Sequence, residues 1–248
     1  MLIKSNQNSK LKYWSKLKQK KYRYQQQAFI VEGEHLVKEA LASHAVKEIL
    51  VRERAVSQLD QKIFSHHEGF VIEENLFNKL AMTETPQPVM AVCEIKNQAI
   101  ENKNRLLLLD RIQDPGNLGT LIRSAVAFKF DGIVLGKGCV DLYNEKVIRS
   151  TQGAIFKIGI MQRPLLSYLY DLQTEGVKVI GTSLEQGTPL KTIPTYEKMA
   201  FILGNEGGGV DQELLKVTDK NLFVEMSENV ESLNVSIAGS IIMHHFRL

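Results

Sequence analysis

At 248 residues, 44% hydrophobic and 24% charged, the chain has the composition of an ordinary globular protein. Its apolar content, 17 Gly and 6 Pro exclude disordered, collagen-like and fibrous architectures. No apolar run reaches the ~20 residues of a membrane helix, the start MLIKSNQNSKLKYW lacks the apolar stretch of a secretory signal, and Cys93 and Cys139 are too few for a disulfide framework. A cytoplasmic protein is expected.

The net charge of +3 is unevenly spread. Residues 1–24 carry seven Lys and Arg23 with no acid, a net +8 that leaves −5 for the remainder. Tyr13, Trp14, Tyr22 and Tyr24 lie among those cations. Cations neutralise phosphates and aromatic faces stack on unpaired bases, so one reading is an RNA contact. The other is a solvated basic helix whose Leu11, Trp14, Leu17 and Lys stems pack on a domain. Beyond it, AFIV (28–31) reads as a strand and 34–42 as a helix with Leu36, Val37, Ala40 and Leu41 on one side. Strands follow at 47–51, 69–72 and 89–95, with a helix at 74–81. This alternation predicts a small α/β domain over 1–95, and 96–105, with no buried pattern, reads as a linker.

LLLLD (106–110) opens the second domain, 106–248, with the run of a strand covered on both faces. Helices are expected at 117–129, near 144–151, and at 165–175, 211–217 and 233–247. Strands are expected at 132–135, around 155–160, and at 177–183, 200–204 and 221–226. The pattern predicts a mostly parallel sheet with helices on both faces and the strands' C-terminal loops along one edge.

Three of those loops concentrate polar residues. In the first, Pro115-Gly116 makes a turn and Asn117 suits the N-cap of the next helix. Arg123 lies almost two turns further on among apolar and small residues, where a charge usually needs a partner. In the second, Gly204-Asn205-Glu206-Gly207-Gly208-Gly209 supplies glycines that let backbone approach a ligand closely. Glu206 stands where a phosphate loop would avoid a negative charge, so a cationic or neutral ligand is expected. In the third, Ser232 is a candidate N-cap for the last helix, with Asn234 and Ser236 in its first turn. His66-His67 and His244-His245 are adjacent pairs that do not face one helical site. With no carboxylate or Cys at ligand spacing, a metal is not expected. Neither a dinucleotide fingerprint nor a nucleophile elbow is present, which argues against a nucleotide-dependent oxidoreductase and a Ser–His–Asp hydrolase.

Taken in order, N-x-G-x-x-x-R at 117–123, I-L-G-N-E-G at 202–207 and S-L-N-V-S at 232–236 resemble the three signature motifs of the SpoU (TrmH-type) RNA 2′-O-ribose methyltransferases of the SPOUT superfamily. The basic start, FIVEGEHLVKEAL (29–41) and TPQPVMAV (85–92) are similar to the ribosomal-protein-like substrate-binding domain of two-domain members. The resemblance implies a C-terminal α/β domain with a deep trefoil knot, which sequence rules alone predict against. It further implies S-adenosylmethionine as cofactor, an RNA substrate and a homodimer whose active site draws on both subunits. Gly204, Val224 and Leu233 match the family's adenosine-contacting positions, with Thr182, Ser183, Leu203 and Met226 lining the pocket beside them. Asn117, Arg123, Glu206, Ser232 and Asn234 match its catalytic set. Glu225 departs from the family's usual Pro, which would stiffen the adenosine-contacting loop. The two-domain layout leans toward ribosomal RNA; a tRNA enzyme, or an RNA-binding protein with a degenerate methyltransferase domain, is the alternative.

Overall fold

A computed structural model describes residues 2–57, 67–96 and 99–248; His66 and linker residues 97–98 therefore lie outside the described residues. The chain forms two compact units, Met1–Lys96 with Asp141–Phe156, and Asn97–Val140 with Lys157–Leu248. Among the described residues no helix is long and apolar enough to cross a membrane.

The first unit is built on a five-stranded sheet in the order β1 (Leu2–Ile3), β4 (Glu68–Ile72), β3 (Val46–Arg52), β5 (Val89–Glu94) and β2 (Ala28–Glu32). β1 and β3 run parallel to β4, whereas β5 is antiparallel to β2 and β3. Helices α1 (Ser9–Lys16), α2 (Lys20–Gln26), α3 (Glu34–Ala42) and α4 (Glu74–Leu80) accompany it. The basic segment is these first two helices, and its Leu11, Trp14 and Leu17 join the core. Trp14, fully buried, stacks edge-on to Phe70 and donates its indole N–H to Glu48 at 2.6 Å, so the ring's one polar atom is satisfied. Lys10 pairs with the same carboxylate. Arg23, also buried, bonds Asp141 and the Leu17 and Lys18 carbonyls. Buried Glu32 accepts from the backbone N–H groups of Met82 and Gln87 and from the Thr83 hydroxyl, which fixes the 82–87 loop. Helix α6 (Glu145–Thr151) belongs to this unit, where Tyr143 and Phe156 pack on Phe29.

The second unit holds seven strands, all parallel, in the order β10 (Thr188–Pro189), β12 (Lys220–Phe223), β9 (Lys178–Thr182), β11 (Met199–Leu203), β6 (Arg105–Leu109), β7 (Gly132–Leu135) and β8 (Gly159–Gln162). Leu106 to Leu109 are fully buried at its centre, as a strand covered on both faces requires. Among the described residues its α-helices are α5 (Pro115–Ala127), α7 (Leu165–Thr174), α8 (Gln212–Val217) and α9 (Val235–His245). Buried Arg105 donates to the carbonyls of Phe246 and Glu197, both at 2.8 Å, which ties the end of α9 to the start of β6. The strand expected around 155–160 begins later, at Gly159. Gln152 and Gly153 turn the chain through positive φ, and 154–156 form a 3₁₀ turn first.

Candidate active site

Three loops at the C-terminal ends of β6, β11 and β12 converge, and their polar side chains form one hydrogen-bonded relay. Glu206 Oε1 accepts from Asn117 Nδ2 at 3.0 Å. Asn117 Oδ1 in turn accepts from Asn234 Nδ2 at 2.9 Å. Asn234 Oδ1 then accepts from the N–H and hydroxyl of Ser236, at 2.9 and 2.7 Å. Glu206 also accepts from the backbone N–H groups of Gln113 and Asp114. Burial alone would raise its carboxyl pKa, but the bonds from Asn117 and the backbone outweigh it and hold the group below its ordinary value.

The relay exists because the caps fall differently from the sequence expectation. Helix α5 starts at Pro115, with Asp114 as N-cap accepting from the Asn117 N–H at 2.8 Å. Proline favours the first helical position, where its missing N–H costs nothing. Asn117 is thereby a first-turn residue, and its buried side chain is free to bridge Glu206 and Asn234. At the other end Asn234, not Ser232, caps α9, so Ser232 stands ahead of the helix at the site's edge.

Arg123 is a correction to the expectation of a partnered charge. It is exposed, and among the described residues neither a hydrogen bond nor an ion pair engages it. Residues 116, 120, 123 and 127 form the outward stripe of α5 while Asn117, Leu118, Leu121, Ile122 and Ala125 face inward. The apolar neighbours of Arg123 in sequence are thus on the other side of the helix.

Behind the relay lies a cavity of about 520 Å³, within the ~300–1,000 Å³ of small-molecule sites. Thr182, Ser183, Leu203, Gly204, Val224, Met226 and Leu233 all line it, as do Glu206, Ser232 and Asn234. Its floor is apolar, from Val210, Leu215, Leu222 and Ile242. Two carboxylates, Glu185 and Glu206, are its charged lining, and no cation joins them among the described residues. Glu225 does not line it and pairs with Lys191 at 3.0 Å.

The glycine loop owes its shape to its own backbone. A Cβ on Gly204 would lie 2.0 Å from Gly209 C and 2.1 Å from Val210 N, because Asn205 and Gly209 exchange backbone bonds at 3.0 and 2.9 Å. Gly209 is the member of the loop that takes positive φ, at 64°. Asn205, which the sequence reading passed over, holds the turn: its Oδ1 accepts from Gly207 and Gly208 N–H, and its Nδ2 donates to the Arg111 carbonyl. An Asn opening a glycine run was the available signal. Buried Asp110 was missed too; it accepts from the Asp211 N–H and pairs with Arg111. His244 and His245 are exposed and contact Phe128 and Phe246 respectively. Among the described residues no group of three or more His, Cys, Asp or Glu is placed to hold a metal.

Residues 104–244 match the SpoU rRNA Methylase family, and residues 8–91 the MRM3-like substrate binding domain. The chain is 46% identical to the Bacillus subtilis 23S rRNA (guanosine(2553)-2′-O)-methyltransferase RlmP, over 99% of this chain and 98% of that one. Among solved structures it resembles an AdoMet-bound rRNA methyltransferase from Sinorhizobium meliloti, with TM-score 0.86 and 27% identity, covering 98% of this chain and 95% of that one. It also resembles a putative RNA methyltransferase of the TrmH family from Porphyromonas gingivalis, with TM-score 0.85 and 30% identity over 100% and 99% of the two chains. The motifs, the parallel sheet and these likenesses agree over both halves of the sequence, and the chain belongs to the SpoU rRNA methylase family.

Proposed function

We propose that the protein transfers a methyl group from S-adenosylmethionine to a ribose 2′-hydroxyl of ribosomal RNA. The observation that carries this reading is the Glu206–Asn117–Asn234 relay, which joins three separate loops and whose Glu206 and Asn234 line the cavity. The cavity suits the cofactor: its apolar lining accepts an adenine, and its charged lining, Glu185 and Glu206, accepts a net cation. The cofactor supplies an electrophilic methyl group on a sulfonium, so the protein's work is chiefly positioning.

In this reading Gly204, Val224 and Leu233 hold the adenosine, with Thr182, Ser183, Leu203 and Met226 completing the wall. Asn117, Ser232 and Asn234 orient the target ribose, and Glu206 anchors the 113–117 turn rather than Arg123. Arg123 holds the nucleotide's phosphate or 2′-oxygen. A guanidinium carries five N–H donors and no acceptor, so a positioning role accounts for it better than that of a base.

A homodimer gives Arg123 its place. Ile237 and Ile241 are 52% and 38% exposed on α9, and α9 packs on α5 through Ser124–Ser240 at 2.8 Å and the close approach of Leu121 to Gly239. Together with the outward stripe of α5 they form a surface suited to a second copy, with Arg123 of one subunit serving the cavity of the other. We assign residues 1–95 to RNA binding, 96–105 to the linker and 106–248 to a knotted methyltransferase domain acting in the cytoplasm. With Lys10, Lys18 and Arg23 committed inside the first unit, Lys4, Lys12, Lys16, Lys20 and Lys21 remain exposed for phosphate. Lys16 and Lys21 bracket the Tyr22 ring, 5.5 and 6.0 Å from its centroid.

The test is transfer of labelled methyl from S-adenosylmethionine to protein-free ribosomal RNA by the purified chain, with nuclease digestion and mass spectrometry of the product. A single 2′-O-methylnucleoside is expected. Label confined to tRNA would replace the substrate, and cofactor binding without transfer to any RNA would favour the non-catalytic binder.

A further inference from the structure

The methyl transfer changes the charge of what the cavity holds. The sulfonium cosubstrate is a net cation at neutral pH. Once the S–CH₃ bond has broken and the O–CH₃ bond formed, the remaining thioether is net neutral, and the hydroxyl's proton is released. The two carboxylates on the cavity wall are not equivalent toward this change. Glu206 is occupied by Asn117 and by two backbone N–H groups. Glu185 is exposed, and among the described residues neither an ion pair nor a hydrogen bond engages its carboxylate. The turn that carries it is nonetheless fixed. The Ser183 hydroxyl accepts from the Gln186 N–H at 3.1 Å, and Gln186 Nε2 donates to Gln212 of α8 at 3.1 Å.

We propose, resting on the reading of this cavity as the S-adenosylmethionine site, that Glu185 is a specificity-determining residue that makes the cavity prefer the cationic cosubstrate over its neutral product. Its free negative charge attracts the ligand before transfer and loses most of that attraction afterwards, so it favours product release. An uncommitted carboxylate on the wall of a cavity whose described lining holds no cation has this consequence by Coulomb's law alone. Because the residue is exposed, the effect is of the size of a surface ion pair, roughly a 1.5- to 5-fold change in affinity.

The experiment is calorimetric titration of the full chain and of Glu185→Gln with S-adenosylmethionine, S-adenosylhomocysteine and sinefungin, in which an ammonium replaces the methylsulfonium. The expected result is a ratio of S-adenosylmethionine to S-adenosylhomocysteine affinity lowered about 1.5- to 5-fold in Glu185→Gln. Sinefungin should follow the cationic cosubstrate, and raised salt should shrink the wild-type ratio. Glu185→Lys should lower the ratio further, with an unchanged melting temperature showing that the fold is intact. Equal weakening of all three ligands, or no change in any, overturns the proposal. Failure of the wild-type chain to bind any of them overturns the reading of the cavity instead.

Discussion

Replacing Asn117 by Asp keeps the shape of the side chain and reverses one of its bonds. In the native protein Nδ2 donates to Glu206 and Oδ1 accepts from Asn234. In Asn117→Asp the bond to Asn234 survives, while two carboxylates face each other across a 3.0 Å contact. A hydrogen bond to an ionised group contributes about 1.5–3 kcal/mol. Like-charge repulsion adds to its loss, discounted because Glu206 is partly in water, for a total of about 2–4 kcal/mol at neutral pH. With a urea m-value of roughly 3 kcal/mol/M, the unfolding midpoint should fall by about 1 M. The pH dependence supplies a second signature. The Glu206 carboxyl is held below its ordinary value of 4.5, so its stabilisation is present above that value and lost as pH falls through the depressed folded one. In Asn117→Asp the facing carboxyls share a proton at a raised pKa, and the deficit against wild type should shrink on acidification from about pH 7 to pH 5. Asn117→Ala should lose about 1.5–3 kcal/mol without that relief. Urea melts followed by circular dichroism at both pH values decide it. Wild-type stability at neutral pH, or a deficit that ignores pH, would show that the three loops are not joined through Asn117.

Four other outcomes follow from the structure. Gly204→Ala places a Cβ against backbone atoms of Gly209 and Val210, so it should cost about 3 kcal/mol and abolish cofactor binding, read by melting and calorimetry; near-native affinity would refute the tight loop. Arg123→Ala should lower turnover at least ~100-fold while leaving the melting temperature and cofactor affinity close to wild type; loss of fold would return Arg123 to a structural role. Replacing Lys16, Lys20 and Lys21 together by Gln should flatten the slope of log affinity for RNA against log salt by about 2–3. Lys10→Gln, which breaks the pair with Glu48, should lower stability and leave that slope unchanged.

Much of the fold is written in local pattern. The run at 106–110 is typical of a doubly covered strand, and helix α3 follows its apolar stripe to the residue, from Glu34 to Ala42. What escaped was set by tertiary context. β1 is two residues long, and its pairing with β4 is what makes Leu2 and Ile3 a strand. The packing of Leu11, Trp14 and Leu17 follows the local pattern, but the burial of Trp14 and Arg23 depends on Glu48 and Asp141, distant in sequence. The motifs gave the candidate residues but not their wiring. Asn117 and Asn234 each look like simple caps in sequence, and only the meeting of β6, β11 and β12 turns them into a relay. The sequence neighbours of Arg123 are not its spatial ones, because the helical period sends it outward while Leu121, Ile122 and Ala125 face inward.

Methylation of one ribose of ribosomal RNA by this chain is tested by mapping 2′-O-methyl positions in total RNA from cells with and without the gene. One ribosomal position should lose its methyl group on deletion, regain it with the wild-type gene and not regain it with Arg123→Ala. An unchanged ribosomal methylation map would contradict it.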